Sequence, residues 1–217
     1  MEKEELLKRM EEAVKAYDEE EARRLAEEAI RMGLDPVEAL EQGLAKGLRE
    51  VGDRFGRGEA FITELIAAAQ AMEAGAEILN REIERRGAAR ESVGRFLIGT
   101  VEGDIHSIGK NIVATMLKAA GFEVIDIGVD VPTQTFVEKV KELKPDILGL
   151  SALMTTTMVK QKEVIEALKE AGLRDQVKII IGGAPVTEEW AREIGADAVG
   201  LDAASAVETS LRLIGAK

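Results

Sequence analysis

The run Glu102-Gly103-Asp104-Ile105-His106-Ser107-Ile108-Gly109-Lys110-Asn111 holds the only histidine in a chain of 217 residues. It follows Phe96-Leu97-Ile98-Gly99-Thr100-Val101, an apolar run that reads as a buried strand, and precedes an amphipathic run over 111–120 that reads as a helix. A strand–loop–helix junction puts its loop at the carboxyl end of a strand, where open α/β sheets bind ligands. Asp104, two residues before His106, can take the proton on one ring nitrogen and direct the other at a metal ion.

Downstream of this junction the pattern alternates. Strands are expected over 95–101, 123–127, 147–150, 178–181 and, more weakly, 198–200. Helices are expected near 109–120, 133–143, 156–171, 187–194 and 203–214. Continuous apolar strands joined by right-handed helical crossovers make a parallel sheet covered on both faces. The expectation is a five-stranded, flavodoxin-like (Rossmann-type) sheet. Upstream, residues 1–88 carry helical periods. Leu6, Leu7, Met10, Val14 and Tyr17 mark one helix, and Ala22, Leu25, Ala26, Ala29 and Ile30 a second that Gly33 can end. Asp35-Pro36-Val37-Glu38 is a start signal with a cap, a proline at the first helical position and a box-like glutamate. It opens a third helix through Leu40, Leu44, Leu48 and Val51 to about Phe55, and a fourth runs over 62–86. The class is therefore α/β, with an N-terminal four-helix bundle over 1–90, a polar linker at 87–94, and an α/β domain over 91–217.

Composition narrows the function. With no cysteine, the chain has no disulfide, thiolate zinc site, iron–sulfur cluster or cysteine nucleophile. A net charge of −12 argues against nucleic acid as partner. No apolar run approaches a membrane span, and the start, Met-Glu-Lys-Glu-Glu, is no secretory signal, so a cytoplasmic protein is expected. Charged residues at 32% and scarce Asn and Gln lean towards a thermophile.

An arbitrary histidine in a loop is ordinarily just solvated. Here the loop lies at a ligand edge, and Asp104 and Gly109 flank His106 at useful spacings. A zinc site made by protein alone needs several His or Cys ligands. A metal that arrives with most of its ligands needs one more, which points to a macrocyclic cofactor with His106 as axial ligand. The loop is not a P-loop: Gly103 to Gly109-Lys110 is one residue too long, and Asn111 replaces the magnesium-binding hydroxyl. Gly149-Leu150-Ser151-Ala152-Leu153 lacks the last glycine of a nucleophile elbow, and the histidine precedes that serine, against the usual hydrolase order. Further loops at the same edge are rich in small residues: Ser151 to Thr157, Gly182-Gly183-Ala184-Pro185 and Asp202-Ala203-Ala204-Ser205. One of the threonines is expected to cap a helix, and the paired glycines admit close approach of a ligand to the backbone. Together these loops would leave a deep slot between strands.

On these residues the chain resembles the cobalamin-binding proteins of corrinoid-dependent methyl transfer. Asp104, His106 and Gly109 meet a D-x-H-x-x-G motif, Ser151 and Leu153 an S-x-L motif, and Gly182 and Gly183 a G-G motif, in family order. The resemblance extends to the first domain, where residues 61–72 look like the family's helical cap. The whole chain is similar to the corrinoid proteins of methanol, methylamine and methoxyaromatic methyltransferase systems, and its second half to the cobalamin-binding region of methionine synthase. The resemblance implies cobalamin bound base-off and His-on, its dimethylbenzimidazole tail buried in the slot and His106 as lower cobalt ligand, alternating between methylcobalamin and cob(I)alamin in turnover. Asp104 would hold the far imidazole nitrogen, with Thr157 as its hydroxyl partner where relatives have serine. Ser107 and Ile108 would adjoin the cofactor. Ser151, Thr155, Gly182 and Gly183 would line the tail, with Leu153 a further cofactor-binding residue. Near Gly200, Val199 stands where an aromatic residue is expected. Phe61, Leu65 and Met72 are candidates for an apolar cap over the reactive face, or are bundle core.

The implied role is a methyl carrier between a donor-specific methyltransferase and an acceptor methyltransferase that uses a thiol or a tetrahydropterin or tetrahydrofolate. A reductive activator would be a further partner, and the chain is not expected to be catalytic alone. Two other roles share the motifs. A cobalamin-dependent sensor would add a DNA-binding region, and no helix-turn-helix precedes the bundle. The small cobalamin subunit of a carbon-skeleton mutase would not need the first 90 residues.

Overall fold

The structure, a computed structural model, describes residues 2–86 and 92–215. Positions 87–91 of the expected linker lie outside the described residues. The chain divides into two compact units, Met1–Glu91 and Ser92–Lys217.

The first unit is helical. Helix α1 spans Lys3–Lys15 and α2 spans Glu19–Arg31, each with its apolar stripe buried. Asp18 caps α2 by accepting from the Glu21 N–H at 2.9 Å. At the far end Gly33 takes a left-handed φ of 73°, and the Leu34 N–H reaches back to the Ala29 carbonyl, as in a Schellman ending. Asp35 caps the next helix through the Val37 N–H, with Pro36 at its first turn. Glu38 does not complete a box; its carboxylate pairs with Lys3 at 2.7 Å.

The third helix is also not one regular α-helix. It runs as α3 (Pro36–Glu38), a π-helical stretch Ala39–Leu44, and α4 (Ala45–Gly56). Leu40, Leu44 and Leu48 recur every four residues and are all buried. At 3.6 residues per turn such a row drifts around the helix, and a wider turn offsets the drift. Gly43 and Gly47 let this segment approach α1: a Cβ would stand 3.0 Å from Met10 Cβ at the first and 2.6 Å from the Glu11 carbonyl at the second. Helix α5 spans Ile62–Arg86.

The second unit is a parallel sheet of order β2-β1-β3-β4-β5. The strands are β1 Arg95–Thr100, β2 Glu123–Asp126, β3 Ile147–Ser151, β4 Lys178–Gly182 and β5 Ala198–Gly200. Helices α6 (Ile108–Ala119), α7 (Thr133–Leu143), α8 (Thr155–Glu170), α9 (Glu188–Ile194) and α10 (Ala203–Leu213) alternate with them. Successive strand residues serve opposite faces. Leu97, Leu148, Leu150, Ile179 and Ile181 pack in one cluster with Phe136, Val164 and Ile194 of α7, α8 and α9. Phe96, Ile98, Ile147 and Ile180 pack in the other with Ala114, Leu117 and Ala206 of α6 and α10. The rings of Phe96 and Phe122 meet edge to face at 6.0 Å in the second cluster. The order makes β1 and β3 neighbours although their crossovers lead in opposite directions. The crevice of such a fold opens at their carboxyl ends, where the loop bearing His106 lies.

Candidate functional site

Strand β1 ends at Thr100, and the chain turns through Glu102 and Gly103 before reaching Asp104. Gly103 has φ +81°, which a side chain would strain. The turn is closed by the Asp104 N–H on the Val101 carbonyl at 3.1 Å, and the Thr100 hydroxyl donates to the His106 carbonyl at 3.0 Å. Asp104 is fully buried, whereas His106 is half exposed.

The Asp104 carboxylate is the hub of the site. Its Oδ1 lies 2.7 Å from His106 Nδ1 and accepts the His106 backbone N–H at 3.0 Å. Its Oδ2 accepts from the Thr157 hydroxyl at 2.7 Å and from the Leu153 N–H at 2.7 Å. Burial alone would raise this carboxyl's pKa. The Thr157 hydroxyl, the His106 and Leu153 N–H groups and the imidazole outweigh it and hold Asp104 well below the usual carboxylate range. A charged carboxylate on Nδ1 places the ring proton there, so Nε2 carries the lone pair. Among the described residues Nε2 has no hydrogen-bond partner. Thr157 also accepts the Met154 N–H at 3.3 Å, so the same hydroxyl helps cap α8.

The other expected site residues take definite places. Ser107 precedes α6 and makes no side-chain cap bond. Ile108 is 72% exposed, and Leu153 is exposed as well. A Cβ on Gly109 would meet no atom within 4 Å. Ser151 and Gly182 are register partners at the ends of β3 and β4. Gly183 has φ +131°, and a Cβ there would stand 1.7 Å from the Ala152 carbonyl oxygen. Thr155 is exposed at the start of α8. Val199 pairs with Ile181 and packs against the cluster under α7, α8 and α9. In the helical unit, Leu65 and Met72 are buried, whereas Phe61 is 77% exposed.

Several residues at the strand ends escape a reading by motif. Ile105 at 73% and Leu201 at 67%, with Val129 and Met154, are exposed apolar residues on loops after β1, β5, β2 and β3. For Ile105, Val129 and Leu201 the signal in the sequence is a large aliphatic residue beside polar residues or glycine, whereas Met154 directly follows Leu153. Lys110, only 4% exposed, pairs with Asp126 and reaches Asn111 at 3.0 Å, tying α6 to the end of β2. No group of three or more His, Cys, Asp or Glu side chains among the described residues could enclose a metal ion.

This arrangement fits a flat, largely apolar metal macrocycle. It offers one aimed imidazole nitrogen, open space over Gly109 and apolar side chains around them. Comparison with known proteins agrees. A family model described as B12 binding domain matches residues 94–211, and a second B12 binding domain model matches residues 6–80. The chain belongs to this B12-binding family. It is 55% identical over 205 residues to the trimethylamine corrinoid protein of Methanosarcina barkeri, covering 94% of each chain. It is 50% identical over 214 residues to dimethylamine corrinoid protein 1 of Methanosarcina acetivorans, covering 99% of this chain and 100% of that one. Among solved structures, the methanol:cobalamin methyltransferase complex MtaBC of Methanosarcina barkeri matches with a TM-score of 0.90 at 31% identity, over 100% of this chain and 82% of that one. A cobalamin-binding protein of Desulfitobacterium hafniense DCB-2 matches with a TM-score of 0.72 at 36% identity, over 94% and 96%. The resemblance to the corrinoid proteins of methylamine and methanol methyltransferase systems therefore holds for the chain as a whole. No described helix is long and apolar enough to cross a membrane.

Proposed function

We propose that this chain is a methyl carrier that binds cobalamin base-off, with His106 as the lower axial ligand. The observation that carries the reading is the imidazole itself, held through Nδ1 by a buried, charged carboxylate and free at Nε2. When bound, the corrinoid supplies a cobalt centre able to accept and give up a methyl group. The protein's part is to set how strongly the imidazole donates. Asp104, kept ionised by Thr157 and by the Leu153 N–H, makes the ring a better donor, and a proton taken up at that pair makes it a poorer one. Gly109 leaves room for the ligand, Ile105, Ile108, Val129 and Leu201 exclude water around it, and the small residues at Ser151, Gly182 and Gly183 suit a tail. Phe61, Leu65 and Met72 remain candidates for a protective cap over the opposite face. Residues 1–90 would serve as the cap domain and 91–217 as the cobalamin domain.

The partners proposed are a donor-specific methyltransferase, an acceptor methyltransferase working on a thiol or a reduced pterin, and a reductive activator. The setting is cytoplasmic. A methylamine is the favoured donor class, because relatives named for trimethylamine and dimethylamine are 55% and 50% identical, against 31% for the methanol complex. The mutase reading is disfavoured by the same matches, which run through the helical half as well as the α/β half.

Reconstitution with hydroxocobalamin tests the reading. The chain should retain cobalamin through gel filtration with a base-off spectrum, and no retained corrinoid would overturn the proposal. In the cobalt(II) form, nitrogen-15 histidine should alter the ligand splitting in electron paramagnetic resonance, since the chain has no second histidine. An unaltered splitting would assign the lower nitrogen to the cofactor's own base. His106→Ala should keep some cobalamin and lose the protein-derived splitting, with Asp104→Asn a milder case of the same defect.

A further inference from the structure

Asp130 sits on the loop between β2 and α7, outside every motif used so far. Its φ is +52°, in the left-handed region that few residues with side chains enter, Asp and Asn among them. Held this way, it grips the turn before His106 at two points. Its Oδ1 accepts the Gly103 N–H at 2.7 Å, and its own N–H donates to the Asp104 carbonyl at 2.9 Å. The next residue extends the grip: the Val131 N–H donates to the Thr100 carbonyl at 3.0 Å, and Val101 and Val131 form a parallel bridge. The β2–α7 loop thus sets the backbone on both sides of Gly103.

That backbone decides where the imidazole points. His106 is oriented by Oδ1 of Asp104 through both its ring and its main chain. Oδ2 is anchored from another direction, by Leu153 and Thr157. With Oδ2 pinned, the plane of the carboxylate depends on where the Asp104 main chain lies, and Asp130 holds that main chain. We propose that Asp130 is a positioning residue that aims His106 Nε2 at the cofactor metal, an inference that rests on the proposed corrinoid reading. It makes no hydrogen bond to His106, and acts through Gly103 and Asp104.

Two full-length variants separate aiming from simple support of the loop. Asp130→Gly keeps the left-handed backbone and removes the acceptor for the Gly103 N–H. Asp130→Asn keeps an acceptor and tolerates the same φ. The first measurement needs no corrinoid: the nitrogen-15 spectrum of the lone imidazole reports its tautomer and its hydrogen bond in the apo chain. The second is the ratio of histidine-ligated to unligated cobalt(II) after loading, read from the nitrogen splitting. Asp130→Gly should shift the imidazole signals and lower the ratio about fivefold, the equivalent of one hydrogen bond of about 1 kcal/mol. Asp130→Asn should restore both. Wild-type imidazole signals and ratio in Asp130→Gly, with only its melting temperature lowered, would overturn the proposal. So would an equal loss in Asp130→Asn. Should the wild-type chain bind no corrinoid, the proposed function fails, while the apo spectra still decide whether Asp130 orients the ring.

Discussion

At Asp104, burial and hydrogen bonding oppose each other, and hydrogen bonding wins. A buried carboxylate keeps its charge only while its donors stay in place. Thr157→Val removes one donor at nearly constant volume and should destabilise the α/β unit by about 1–3 kcal/mol. Thr157→Ser should recover most of this loss. Urea unfolding of the apo chain measures both, and an equal loss in the serine variant would show that the methyl group, not the hydroxyl, carries the effect. The hydroxyl of Thr157 was expected only through the resemblance, which puts a hydroxyl partner for the carboxylate at that position, and the structure places it on Asp104 Oδ2. The part played by Asp130 was not legible, because it depends on a left-handed φ and a contact across 27 residues. Nothing in the spacing of side chains announces either.

At the scale of elements, Gly183 and Gly109 make opposite predictions. Gly183 approaches the Ala152 carbonyl so closely, at a positive φ, that Gly183→Ala must displace the β3 or β4 loop. It should cost more than about 2 kcal/mol of stability with or without cofactor. Gly109 is open and helical, so Gly109→Ala should leave the apo chain as stable or up to about 1 kcal/mol more stable. It should nonetheless retain less cobalamin. Unchanged retention in Gly109→Ala would mean that the open space there is not where the ligand approaches. The strands were legible because buried parallel strands are short continuous apolar runs bounded by polar turns. The π-helical stretch at Ala39–Leu44 was hidden, since its four-residue leucine spacing also reads as an ordinary helix. Burial of Lys110 was hidden too, because its partner Asp126 lies at the end of another strand.

Across the whole molecule, acid should act unevenly. In the helical unit, Glu21 is held at about 2 chiefly by Arg24 with Arg9, and Glu82 at about 2 chiefly by Arg85 with Arg86. A carboxyl whose folded pKa is depressed contributes stability that is complete above its unfolded value and lost as pH falls through the folded one. These pairs should therefore support the helices fully above about pH 4.5 and fail as pH approaches 2. Helical circular dichroism of Glu21→Gln and Glu82→Gln should fall less steeply over that interval. A slope equal to the wild type's in both variants would show that these ion pairs do not set the acid limit. The Glu21–Arg24 pair is exposed enough to solvent that salt should weaken its part of the effect.

The crossing from β1 to β3 also fixes when the site can exist. The donors to Asp104 Oδ2 lie 49 and 53 residues further along the chain. While a ribosome is still making β2 and α7, the carboxylate of the histidine loop has no anchor. Ordering a loop against partners so distant in sequence waits for the sheet to close. On the proposed reading, cofactor loading would wait until translation has passed Thr157, and contact with Gly182 and Gly183 until β4 has followed. A nascent chain arrested before β3 should show a histidine spectrum like that of an unfolded peptide, and the aimed imidazole should arise only in chains long enough to shelter what it binds.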